Sequence, residues 1–149
     1  MAGFEPIWAL GCMSGTSMDG VDCAAVLTDG HEVFEFGDAA MRPFSAEDRA
    51  AIGAAVGLWP DGDFGILDRA AEVILEKHIE AVTPFSGKVS LLGFHGQTVN
   101  HDPAAGRTFQ LGDGAALAKA TGMRPVWDFR SLDMAQGGPG APLAPFSPF

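Results

Sequence analysis

The sequence predicts an α/β fold, a mixed sheet flanked by helices. Three observations predict it. Apolar runs of strand length come first, Ile7 to Met13 and Val21 to Leu27, and helical periods then alternate with further short runs. Val89 to Phe94 (VSLLGF) is continuously apolar, which suits a central strand buried on both faces. Polar clusters stand at three predicted strand ends, Ser14 to Asp22, His95 to His101 and Asp128 to Asp133. Ligands of such sheets collect at strand carboxyl ends.

The elements follow in order. Ile7 to Met13 and Val21 to Leu27 form a hairpin around the broad loop Ser14 to Gly20. After the Asp29-Gly30 turn, His31 to Met41 alternates loosely and reads as a third strand. Ser45, followed by Glu47 and Asp48, is an N-cap before two acids and predicts a helix to about Val56. Gly57 to Gly65 is a loop holding Pro60. Ile66 to Val82 has the clearest helical period, and Pro84 ends it. His95-Gly96-Gln97 follows the Val89 to Phe94 strand at its carboxyl end. Thr108 to Leu111 is a further short strand. Asp113 caps a helix through Ala115 to Ala120, which Gly122 stops. Pro125 to Phe129 is the last strand, with Asp128 at its end, and Met134 to Phe149 is a tail rich in proline and glycine.

Composition narrows the function. A chain of 149 residues, 47% hydrophobic and 19% charged, is long and apolar enough for one domain with a proper core. A net charge of −10 argues against a nucleic-acid or anionic-membrane surface, either of which needs a basic patch. No apolar run approaches membrane-spanning length. Met1 to Leu10 carries Glu5 and no basic cluster, so it does not read as a signal peptide. A cytoplasmic protein is expected. Cys12 and Cys23 lie in apolar stretches and are expected as buried free thiols rather than a disulfide.

The clusters offer specific chemistry. In Met13 to Asp22 (MSGTSMDGVD), small residues let the backbone approach a ligand, and consecutive amides in a concavity hold phosphate oxygens. Ser14, Thr16 and Ser17 add hydroxyls. No Walker pattern is present. Asp19 and Asp22 repel phosphate unless magnesium lies between, held through water. The alternative is a plain hairpin turn of Gly, Ser and Asp. In His95 to Asp102 (HGQTVNHD), His, Gln and Thr suit a polar wall for sugar hydroxyls; a zinc site and a loop with a satisfied histidine are the alternatives. Arg130 offers a planar fork for carboxylate or phosphate, with Asp128 or Asp133 to orient it or meet a hydroxyl; the alternative is a structural Arg–Asp pair.

Four stretches in this order carry a resemblance: MSGTSMDGVDCA, HGQTVNHDP, TFQLGDGAALA and TGMRPVWDFRSLDMAQGGPGAPLAP. Together they span nearly the whole chain, and they resemble anhydro-N-acetylmuramic acid kinases. The resemblance implies an actin/hexokinase-like ATPase fold with ribonuclease H-like lobes, residues 1–149 being the first lobe alone. It implies ATP, magnesium and an amino sugar as small-molecule partners. The 1,6-anhydro ring would be opened by water and O6 phosphorylated, giving N-acetylmuramic acid 6-phosphate in peptidoglycan recycling. On that match Gly15, Thr16, Ser17, Met18, Asp19, Gly20, Val21 and Asp22 form the ATP-binding loop, with Asp19 and Asp22 toward magnesium. His95, Gln97, Arg130 and Asp133 border the sugar cleft, and Arg130 pairs with the lactyl carboxylate.

Two departures go with the resemblance. The FDxGPGN-like segment, whose aspartate acts as general base in such kinases, is not in this sequence and is expected downstream. Pro139 stands where the family usually has glutamine, and Phe146-Ser147-Pro148-Phe149 match less well. A truncation or an altered reading frame would account for both, and the chain alone is then expected to be inactive. A non-catalytic nucleotide- or sugar-binding module and an assembly scaffold stay open beside the kinase. A half-fold also exposes apolar surface, so a homodimer is possible.

Overall fold

The computed structural model describes residues 4–143. The run Phe146 to Phe149 and the first three residues lie outside them. Strands β1 (Ile7–Ser14), β2 (Gly20–Thr28) and β3 (Val33–Pro43) form an antiparallel meander. Helices α1 (Ala46–Ala55) and α2 (Phe64–Val82) follow, and a short turn at Thr83–Phe85 leads to β4 (Leu91–Asp102). The chain then adds β5 (Arg107–Leu111), α3 (Gly114–Thr121), β6 (Pro125–Trp127) and α4 (Ser131–Ala135). β4 runs parallel to β1 on one side and to β6 on the other, while its second half pairs antiparallel with β5. Three antiparallel strands followed by parallel ones on the far side of β1 is a ribonuclease H-like sheet, as expected.

The caps of α1 and α3 act as the sequence predicts. Ser45 Oγ accepts from the Asp48 amide, and the Asp48 carboxylate accepts from the Ser45 amide, so two otherwise orphan donors at the start of α1 are satisfied. Asp113 accepts from the first turn of α3 and Gly122 closes it at φ 70°, while α2 starts at Phe64, inside the stretch expected as loop, on an Asp63 cap that the sequence reading did not name.

The helices cover one face of the sheet. Leu10 and Cys12 of β1, Val21 and Cys23 of β2, and Leu92 and Phe94 of β4 meet Ile52, Leu67, Ala70, Ile74 and Val82 there. Burial of each large side chain of this set contributes roughly 1.5–3 kcal/mol. Cys12 and Cys23 sit opposite each other across β1 and β2 as buried free thiols. The opposite face, shared by Gly11, Met13, Asp22, Ala24 and Met41, is exposed.

Two expectations need correction. β4 does not stop at Phe94, so His95 to His101 lie within a strand rather than beyond one. A bulge makes this possible. Cys12 pairs Phe94 but Ser14 pairs Gln97, leaving one extra residue in β4, and Gly96 takes it up at φ 72°. The strand then bends away to pair with β5. Second, Ser131–Ala135 is a short helix rather than the approach to a loose tail. β6 ends at Trp127, Asp128 turns the chain at φ 60°, and the turn starts α4.

Candidate functional site

One row of cross-strand partners fixes the geometry. Cys12, Phe94 and Trp127 stand side by side in β1, β4 and β6. The residues just after them therefore lie toward the same end of the parallel pairing, Asp128 beyond β6, and Ser14 and His95 still within β1 and β4. Those residues begin the three polar clusters.

The loop between β1 and β2 is a turn closed by Met18 N donating to Gly15 O at 3.0 Å, with Met18 at φ 53°. The amides of Thr16 and Ser17, at the turn's tip, enter no hydrogen bond among the described residues. Thr16, Ser17 and Asp19 are exposed. Gly20 and Val21 already belong to β2 and are buried, so Val21 offers the loop only its backbone. Asp22 points to the open face between Met13 and Met41. Asp19 and Asp22 supply hard oxygen donors. No three His, Cys, Asp or Glu side chains cluster for a metal among the described residues, which leaves the zinc alternative without a ligand set. As exposed carboxylates both are open to an ion that keeps much of its water, as magnesium does.

At the end of β6 is a polar pocket of about 250 Å³. His95, Thr108, Gln110, Asp128, Arg130 and Ser131 are in its wall, with Trp127 and Phe129 as apolar sides. Arg130 Nε donates to His95 Nε2 at 3.0 Å, joining two clusters 35 residues apart. Arg130 Nη1 donates to the Gly140 carbonyl, and the Gly140 amide donates to Asp133 Oδ2 at 2.7 Å. Asp133 thus braces the Gly-Gly-Pro-Gly turn and does not line the pocket. Asp128 does line it, and accepts from Ser131 Oγ. Burial, with the Arg130 charge adding to it, holds the His95 ring below the ordinary histidine range.

Gln97 sits elsewhere. It is 1% exposed, accepts from Ser14 Oγ at 2.6 Å and donates to the Thr98 carbonyl. Its amide locks β1 to β4 beneath the loop, where Thr16, Met18, Gln97, Thr98, Asn100 and His101 line a second pocket of about 300 Å³.

The family model described as anhydro-N-acetylmuramic acid kinase matches residues 7–148. The chain belongs to the anhydro-N-acetylmuramic acid kinase family. Its match runs through Phe146, Ser147 and Pro148. A protein named anhydro-N-acetylmuramic acid kinase from Cereibacter sphaeroides is 52% identical, covering 96% of this chain and 38% of the relative. Anhydro-N-acetylmuramic acid kinase 1 from Jannaschia sp. is 54% identical, over 98% of this chain and 40% of the relative. A namesake from Ruegeria sp. is 50% identical, over 95% and 36%. The chain thus spans well under half the length of these relatives.

Sequence reading missed part of this family member's pocket. Thr108, Phe109 and Gln110 of β5 all line it, and Gln110 Nε2 donates to both Thr98 and Thr108 hydroxyls. Ser131 lies within the flagged cluster Asp128 to Asp133, and the turn at Asp128 brings it to the wall.

Proposed function

We propose that this chain forms the ATP- and sugar-facing lobe of a kinase that opens the 1,6-anhydro bond of anhydro-N-acetylmuramic acid and phosphorylates O6. The product is N-acetylmuramic acid 6-phosphate, an intermediate in cytoplasmic recycling of peptidoglycan sugars. The observation that carries the reading is the convergence of the turn Gly15 to Met18 and the Arg130 pocket at one end of the parallel strands, in a chain of this family.

Each residue has a task. The amides of Thr16 and Ser17, with their hydroxyls, donate to phosphate oxygens. Asp19 and Asp22 hold magnesium through water, and the ion when bound offsets phosphate charge during transfer. Arg130 pairs with the lactyl carboxylate, and Asp128, rather than Asp133, is placed to accept from a sugar hydroxyl. Gln97 serves by holding β1 and β4 in register under the loop. On this reading the base that activates the attacking water is an aspartate outside these 149 residues.

Amide NMR of the chain tests the binding half of this reading. Mg·ATP is expected to shift Thr16 to Asp19, and anhydro-N-acetylmuramic acid to shift Trp127 to Ser131. No saturable change at either segment would contradict it.

A further inference from the structure

We propose that His95 is a positioning residue: a neutral acceptor that fixes the Arg130 guanidinium so that it meets a carboxylate-bearing sugar. The proposal rests on reading the adjoining pocket as the sugar site.

The argument starts with the proton count. Arg130 Nε lies 3.0 Å from His95 Nε2. A guanidinium N–H only donates, and arginine keeps its proton throughout the working range, so Nε2 supplies the lone pair. The single proton of the neutral ring then sits on Nδ1, which donates to the Gly96 carbonyl at 3.0 Å. Both ring nitrogens are consumed within the protein. His95 therefore has no nitrogen left for a sugar hydroxyl or for proton abstraction, although its ring stands in the pocket wall.

Arg130 gains what His95 gives up. Its Nε is held by β4 through His95, and its Nη1 by the Gly140 carbonyl, whose own residue is clamped by Asp133. Two fixed points define the plane of a guanidinium. Nη2 has no partner among the described residues, and the guanidinium lies in the wall of the 250 Å³ pocket. A planar donor held in this way recognises a carboxylate far better than a freely rotating one, because the ordering cost is met before the ligand arrives. His95 follows buried Phe94 in the strand alternation, so its ring leaves the helix-covered face and from there reaches Arg130.

Two measurements test this. Long-range proton–nitrogen NMR of the histidine-labelled chain at neutral pH is expected to show His95 protonated on Nδ1 and bare on Nε2. An Nε2–H tautomer or an imidazolium overturns the proposal. Sugar titrations then compare the wild type with His95→Leu and His95→Gln, the glutamine oxygen standing in for Nε2. His95→Leu is expected to weaken anhydro-N-acetylmuramic acid about tenfold, as loss of an oriented charge-assisted contact does. His95→Gln is expected to restore most of that affinity. A probe without the carboxylate, anhydro-N-acetylglucosamine, is expected to bind all three proteins alike. Equal weakening of both sugars by His95→Leu would mean that His95 touches the sugar itself, and overturns the proposal. Binding of neither sugar by the wild type overturns the sugar reading and the role built on it, while the tautomer separately reports whether the His95–Arg130 pair forms.

Discussion

His78 is wholly buried on α2, with Nδ1 2.7 Å from the Ile74 carbonyl and its ring edge-on to Phe94 at 4.8 Å. Its Nε2 has no partner among the described residues. Burial lowers its pKa to about 4, against an ordinary 6.5. Between those values the unfolded chain takes a proton that the folded chain refuses. Stability from this group is therefore complete above pH 6.5 and is lost as pH falls toward 4, by about 3 kcal/mol. Urea unfolding at pH 7 and pH 4 is expected to show that loss, and His78→Leu to remove it; an unchanged loss in the variant would contradict the assignment. At the pocket, Arg130→Lys keeps the charge but not the fork, and is expected to weaken the acidic sugar about tenfold. Calorimetric titration checks it, and equal affinity would count against the carboxylate contact. The reach of these side chains was only partly legible beforehand. Loop composition marks Gly15 to Asp19 as a turn, because Gly, Ser, Thr and Asp each have a local reason to be there. Gln97 and Ser14 are 83 residues apart, and nothing local announces that their side chains satisfy each other in the core.

Elements were more legible than contacts wherever a cap or a period marked them. Ser45 and Asp48 predict the start of α1, and the reciprocal capping box bears this out. Ser45→Ala is expected to cost about 1 kcal/mol in chemical unfolding, as loss of such a cap usually does. No change would show that tertiary packing alone holds α1. The second half of β4 was hidden, because His95 to Asp102 is polar and reads as a loop. Pairing with β5 and the bulge at Gly96 make it a strand. A side chain at Gly96 would need φ 72° and would run into the Leu111 carbonyl. Gly96→Ala is thus expected to destabilise by roughly 2–3 kcal/mol and to displace His95 from Arg130. Retained stability together with an intact His95 tautomer would refute the bulge's role. α4 escaped prediction because five residues carry too little periodicity to see.

At the scale of the whole molecule, the mixed sheet and the β1–β2 hairpin were legible in the alternation of runs along the chain, whereas the strand order and the parallel β1–β4 pair were not, because pairing partners far apart in sequence leave no local signal. Surface behaviour follows from what the sheet leaves open. β3 is an edge strand with all eleven residues exposed, among them Phe34, Phe36 and Met41. Phe36 is 81% exposed. Charges at Glu35, Asp38 and Arg42 blunt this edge in part, but Phe34 and Phe36 stay exposed on it, and apolar edges pair with other copies. The chain is expected to self-associate as its concentration rises, and Phe36→Lys to suppress this in sedimentation velocity; a monomeric wild type at all concentrations would contradict it. The central claim, a kinase lobe for an anhydro amino sugar, is tested most directly by product. The chain, and a version extended to the length of its relatives, would be incubated with Mg·ATP and anhydro-N-acetylmuramic acid and the sugars examined by mass spectrometry. The account predicts ring-opened, phosphorylated sugar from the extended protein and none from these 149 residues alone. Sugar left unchanged by the extended protein would contradict the claim, and product from the short chain would contradict the placing of the base beyond it.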